Sequence, residues 1–226
     1  MTQAIEAILA AAAAHCREVV KPGVDGWNRA RKWPRHASDQ AAAAGLLGLY
    51  APPQWGGQGL ALADGIRVYE ELGKGDGAYA FALSMHNICT YAVCGFGSEA
   101  LKRQWAAELT AGRKLANFAL TRPQSGSDAG TMYTRAQING DGTWTINGAK
   151  AWVSLAGEAD IYLTVVKTSD AAGHGDMAMI AIPKGTAGLR FGPLYDTPSY
   201  NFLQLGEMYL DGVTVPEDNI ILPVGK

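Results

Sequence analysis

At Lys114 the texture of the chain changes, and that change constrains the fold more than any other feature of its 226 residues. Before it, apolar side chains recur with the 3.6-residue period of helices. After it come short runs rich in β-branched and aromatic residues, punctuated by Asn139-Gly140, Asp141-Gly142, Asn147-Gly148 and Asp211-Gly212. Such pairs tolerate positive φ and read as hairpin turns. Helices segregated from strands predict an α+β chain: an N-terminal all-α helical domain over 1–113, then an antiparallel β-sandwich or barrel-like domain over 114–226. The connections in the second half are too short for helical crossovers, which is why its strands are expected to be antiparallel.

Five helices are predicted. The first runs from Thr2 to Val20 and stops at Pro22-Gly23; the others span Pro34–Ala44, Leu60–Leu72, Gly77–Cys94 and a Ser98-capped stretch to Ala111. Strands are expected at Leu115–Thr121, Thr131–Ile138, Thr143–Asn147, Ala149–Ser154, Ile161–Lys167, Met177–Pro183, Leu189–Gly192 and Gln204–Leu210. Trp27 and Trp33, interleaved with Arg29, Arg31, Lys32 and Arg35, read as a solvated linker with two anchoring indoles in preference to a patch for an acidic partner. Adjacent Glu70 and Glu71 diverge by about 100° on a helix and do not converge on one substrate. His86 has no second ligand at i+3 or i+4, so a hydrogen-bonded histidine beside a binding cavity is expected, not a metal site.

A net charge of −2 offers no broad basic surface to a nucleic-acid backbone. Cys16, Cys89 and Cys94 lack metal or redox spacing and read as reduced thiols of a cytoplasmic protein. No window approaches the roughly 20 apolar residues of a membrane span.

Two stretches carry chemistry. Phe118-Ala-Leu-Thr121 is a short strand broken at Pro123, after which Ser125-Gly-Ser-Asp-Ala-Gly130 is a loop of small residues suited to anionic groups. Lys150-Ala-Trp-Val-Ser154 sets an indole and a hydroxyl two residues apart, and therefore on one face of a strand. Together they resemble the acyl-CoA dehydrogenase family, in Phe118, Leu120, Thr121, Pro123, Gly126, Ser127 and Asp128, then Lys150, Trp152, Val153 and Ser154. Arg122 stands where that family has an acid.

The resemblance implies an FAD-dependent α,β-desaturase acting on an acyl thioester, carried by coenzyme A or a carrier protein. It implies that Trp152 packs on the flavin ring, that Thr121, Ser154 and the Val153 strand border it, and that Phe118 and Leu120 give main-chain contacts. Ser127 would meet the pyrophosphate and the substrate. The catalytic base is expected on a helical C-terminal region not found in this sequence, so a homo- or hetero-oligomer with a helical partner is expected. A non-catalytic acyl-binding module and a flavin-dependent monooxygenase of the same fold are the alternatives.

Overall fold

The computed structural model describes residues 2–121, 133–169 and 175–225. Helix α1 (Thr2–His15) runs through a π-helical turn (Cys16–Val20) into α2 (Lys21–Ala30), so the stop expected at Pro22-Gly23 does not occur. The reason is geometric. A proline ring strikes the carbonyl four residues back in a regular helix, and the wider turn, in which the Lys21 amide donates to the Cys16 carbonyl, carries the helix past it. The rod ends at Arg31, in the left-handed conformation.

Trp27 and Trp33 are buried, and both rings pack on Tyr79 and Phe202 at centroid distances of 5.6–6.0 Å. The indoles therefore anchor the helical half to the strand half, because Tyr79 belongs to one and Phe202 to the other.

Helices α3 (Arg35–Ala43), α4 (Leu62–Gly73), α5 (Gly77–Phe96) and α6 (Glu99–Thr110) follow. Asp76 caps α5 by accepting the Tyr79 amide at 2.8 Å, and Ser98 caps α6 by accepting that of Leu101 at 3.1 Å; each cap contributes about 1 kcal/mol. Buried Asn87 of α5 accepts the Leu49 amide and donates to the Leu46 carbonyl, satisfying an irregular Gly- and Pro-rich stretch that has no ladder of its own. The three cysteines are buried free thiols.

The strands are β1 (Ala116–Ala119), β2 (Arg135–Ile138), β3 (Thr143–Val153), β4 (Ile161–Lys167), β5 (Met177–Pro183), β6 (Leu189–Leu194), β7 (Gly206–Pro216) and β8 (Ile220–Leu222). They form one sheet in the order β6-β7-β3-β2-β4-β5-β8, with β1 also on β4. Most pairs are antiparallel as expected, but β1 and β2 both run parallel to β4, so the sheet is mixed. Short connections dictate direction only between sequential neighbours, and the β2–β3 hairpin separates β1 from β4. Along one edge of β4, β1 covers Ile161–Thr164 and β2 touches only Lys167. Between them, at Leu120 and Thr121, the chain leaves the edge.

Two expected turns are corrected. Asn147-Gly148 and Asp211-Gly212 lie inside the 11-residue strands β3 and β7, where they face each other across a register shift. The Gly212 amide donates to Asn147 Oδ1 at 2.8 Å. Positive φ here makes a bulge, not a reversal. Gly148 has φ +140°, and a Cβ on it would stand 2.8 Å from Thr134 Cα. Gly148→Ala is expected to lose about 2 kcal/mol, read as a lowered urea midpoint; an unmoved midpoint would show the bulge to be compliant.

One core runs continuously from helices into sheet, joining residues such as Val20, Leu72 and Tyr79 to Ile146, Tyr162 and Val213. A second lies between α5, α6 and the β1–β4–β5 face, around Cys89, Leu109, Ala116 and Leu163. Among the described residues, no helix is long and apolar enough to cross a membrane.

Candidate cofactor and substrate site

The site forms where β1 ends. Past Ala119 the backbone is held from β3: the Ala151 amide donates to the Thr121 carbonyl at 2.9 Å, and Lys150 Nζ donates to the Leu120 carbonyl at 3.1 Å. Lys150 is completely buried and also donates to the Val165 carbonyl of β4 at 2.6 Å. An ammonium in the interior is tolerated only when its protons are taken up by such acceptors. Its position thus ties β1, β3 and β4 together under the cavity.

Asn117 on β1 donates through Nδ2 to the Ser154 carbonyl at 2.5 Å. Its Oδ1 is buried and accepts no hydrogen bond among the described residues, and Asn117 is one of the residues lining the cavity there. A buried amide oxygen left in this way is an acceptor available to a ligand N–H or O–H.

On β3, Lys150 faces Met208 and Val153 faces Gly206, so Ala151 and Trp152 together oppose Glu207 alone. This is a β-bulge, and such bulges re-aim side chains. Trp152 takes a left-handed backbone (φ 57°) and is 56% exposed, whereas Ser154 is 5% exposed. Both nevertheless line the same hollows, through the bulge and not through the regular strand alternation expected from their spacing. The Tyr195 ring packs on the indole at 4.5 Å.

These elements enclose a cavity of about 160 Å³ lined by Phe81 and Met85 of α5, by residues 117–121, and by residues 151–154. An apolar hollow of about 430 Å³ adjoins it, sharing Phe81, Trp152 and Ser154 and adding Tyr200, Leu203 and Leu205. Phe118, Leu120, Thr121, Trp152, Val153 and Ser154 are therefore brought together. Ser127 lies outside the described residues, as do Arg122, Pro123, Gly126 and Asp128. Sequence reasoning missed Phe81, Met85 and Asn117. The apolarity of α5 on more than one face was the available signal for the first two; nothing marked Asn117 apart from an ordinary strand residue.

His86 is fully buried and bridges three elements. It lies 3.1 Å through Nε2 from the Leu109 carbonyl of α6, and through Nδ1 it accepts the Ala116 amide of β1 at 3.1 Å. Its ring is neutral: burial chiefly, with the Arg35 charge adding to it, outweighs the Leu109 carbonyl and Asp160 and pushes its pKa down to about 4. Glu71 pairs with Lys74, and neither Glu70 nor Glu71 lines the cavity. No cluster able to hold a metal ion occurs among the described residues.

Comparison with known proteins gives the family. Residues 2–113 match the model of the acyl-CoA dehydrogenase N-terminal domain, and 117–213 that of the acyl-CoA dehydrogenase middle domain. Mitochondrial isobutyryl-CoA dehydrogenase of Dictyostelium discoideum is 30% identical over 93% of the chain and 50% of its own length. Butyryl-CoA dehydrogenase of Megasphaera elsdenii superposes with a TM-score of 0.92 at 30% identity, over all of this chain and 60% of that one. Glutaryl-CoA dehydrogenase of Mycobacterium smegmatis, in complex with FADH2, superposes with a TM-score of 0.89 at 25% identity, over all of this chain and 57% of that one. The chain spans about half the length of the curated relatives it matches. With both halves matched in order, the chain belongs to the acyl-CoA dehydrogenase family.

Proposed function

We propose that these residues form the FAD-binding part of an α,β-desaturase acting on an acyl thioester. The observation that carries the reading is the convergence, in one cavity, of the Leu120–Thr121 backbone, the exposed indole of Trp152 and the Ser154 hydroxyl. An isoalloxazine is flat, apolar on its faces and polar along its edge, and this lining has an aromatic wall, two hydroxyls and the unclaimed Asn117 oxygen. The residues fit the group.

When bound, the flavin would supply the acceptor for a hydride leaving the β carbon of the thioester. The chain's own part would be binding and orientation: among the residues that line the cavity, Trp152 would back the ring, Thr121 and Ser154 would meet its edge, and Phe81 and Met85 would border the acyl side. Proton removal from the α carbon needs a base within contact distance of the substrate. Among the described lining residues none is a carboxylate. We infer that the base is supplied in trans by a helical segment, which would seat on the exposed apolar residues Phe81, Ile88 and Phe96 of α5.

The test is the visible absorption spectrum of the protein titrated with FAD, alone and with that helical segment. A structured bound-flavin spectrum, bleached by an acyl thioester only when the segment is present, is expected. Absence of bound flavin under both conditions overturns the reading. Trp152→Ala is expected to weaken FAD binding roughly tenfold while leaving the unfolding midpoint nearly unchanged, since the indole is more than half exposed.

A further inference from the structure

We propose that Glu207, acting through Tyr195, is a positioning residue that holds the Trp152 indole on the cavity wall. The inference deepens the flavin reading and rests on it for its purpose, but its geometry stands apart. Glu207 lies on β7 where both neighbouring strands bulge. Ala151 and Trp152 oppose it from β3; on β6, Phe191 faces Met208 and Leu194 faces Gly206, so Gly192 and Pro193 oppose it from the other side. Two bulges at one residue twist the sheet sharply and leave its side chain among bent backbones.

That side chain is fully engaged. The Tyr195 hydroxyl donates to Oε1 at 3.2 Å, and the Tyr209 hydroxyl donates to Oε2. Gly192 makes room for the arrangement, since a Cβ there would stand 2.9 Å from the Tyr209 ring and 3.2 Å from Glu207 Cβ. Tyr195 is then fixed from two more directions. Its ring meets the indole, and its amide donates to the Leu205 carbonyl at 2.7 Å. From the helical half, Arg31 reaches Asp196 at 2.7 Å and the Tyr195 carbonyl at 3.5 Å.

This framework is what a left-handed tryptophan requires. A non-glycine residue at φ 57° carries a conformational cost and persists only where its surroundings over-determine it. An indole more than half in solvent receives little help from core packing. The Glu207–Tyr195 pair supplies the constraint, and the ligand meets a wall already in place.

Fluorine resonances of 5-fluorotryptophan-labelled protein provide the test, because each of the six tryptophans reports separately and Trp152→Phe assigns the one in question. Without flavin, Tyr195→Leu and Glu207→Ala are expected to shift or broaden the Trp152 resonance alone, and Glu207→Gln, which keeps an acceptor oxygen, to restore it. With FAD, the two disruptive variants are expected to bind roughly two- to tenfold more weakly. An unmoved Trp152 resonance, or displacement of all six together, overturns the proposal, as does unchanged FAD affinity in a variant whose Trp152 signal has moved. If the parent protein takes up no FAD, the flavin reading fails while the resonances still decide the positioning.

Discussion

Lys150→Met is expected to lower the stability of the protein by about 2–4 kcal/mol and to abolish FAD binding at concentrations that saturate the parent. Two effects oppose each other. Methionine fills nearly the volume of the lysine stem, and removing a buried ammonium relieves a desolvation cost, which by itself favours the variant. Against this, the carbonyls of Leu120 and Val165 lose the donor that now reaches them at 3.1 and 2.6 Å, in a position with no exposure at all. A thioether donates nothing, and each stranded buried acceptor costs about 1–3 kcal/mol, so the loss outweighs the relief.

The consequence for the site is more specific than the loss of stability. Leu120 is where the chain departs from β4, held there by Lys150 and by the Ala151–Thr121 bond beside it. Without the ammonium, Leu120 loses its tie through Lys150 to Val165 of β4, and the Leu120–Thr121 part of the cavity wall is loosened, while Phe118 and Ala119 stay paired with β4 and the helical half keeps its own packing. Urea unfolding followed by circular dichroism, with FAD titrated under native conditions, separates the two effects. A variant within about 0.5 kcal/mol of the parent, or one that binds FAD as tightly, would show that the lysine is a passenger in its motif.

How far the molecule was legible in its sequence depends on which interactions decide each element. Strands β4 and β5 begin and end where expected because both are buried runs closed by turn chemistry at each side. Helices α5 and α6 begin at side-chain caps that local sequence displays. Misreadings came where a local signal had two structural outcomes. Asn147-Gly148 supplies positive φ, which serves a hairpin or a bulge equally well, and only pairing with the distant Asp211-Gly212 segment selects the bulge. Pro22-Gly23 ends a regular helix but not one already widened to a π turn over Cys16–Val20.

The site shows the same division. Thr121, Trp152 and Ser154 carry their chemistry in their side chains, and all three line one cavity, although a bulge and not strand alternation sets the direction of Trp152. Phe81 and Asn117 belong to the cavity only because α5 lies across β1, a contact between residues more than 30 apart that no local pattern encodes. The bulge that aims Trp152 depends on Glu207 in another strand and was equally hidden.

Stability is expected to fall as pH drops from about 6.5 towards 4, and His86 is expected to account for about 3 kcal/mol of that fall. In the unfolded chain its imidazole titrates near the ordinary value of 6.5; in the folded protein burial holds it neutral down to about 4. Between those values the unfolded state binds a proton that the folded state refuses. The stabilisation is thus complete above about 6.5 and is lost as pH falls through the folded value. His15, lowered by burial as well, acts in the same direction. Protonation also has a local cost, because a proton on Nδ1 would point at the Ala116 amide that now donates to it at 3.1 Å. The bond from α5 to β1 would become a repulsion, one residue before Asn117 and the cavity wall, so FAD release on acidification should follow the same window. His86→Gln isolates the effect: its amide can donate towards Leu109 and its carbonyl accept from Ala116, yet it does not titrate. The variant is expected to be less stable than the parent at pH 7 and to approach it by pH 4.5, so that the difference between their urea unfolding free energies shrinks steadily with acid. Parallel curves over that range would mean that other groups, carboxylates foremost, carry the acid sensitivity and that the α5–β1 bond survives protonation of the ring.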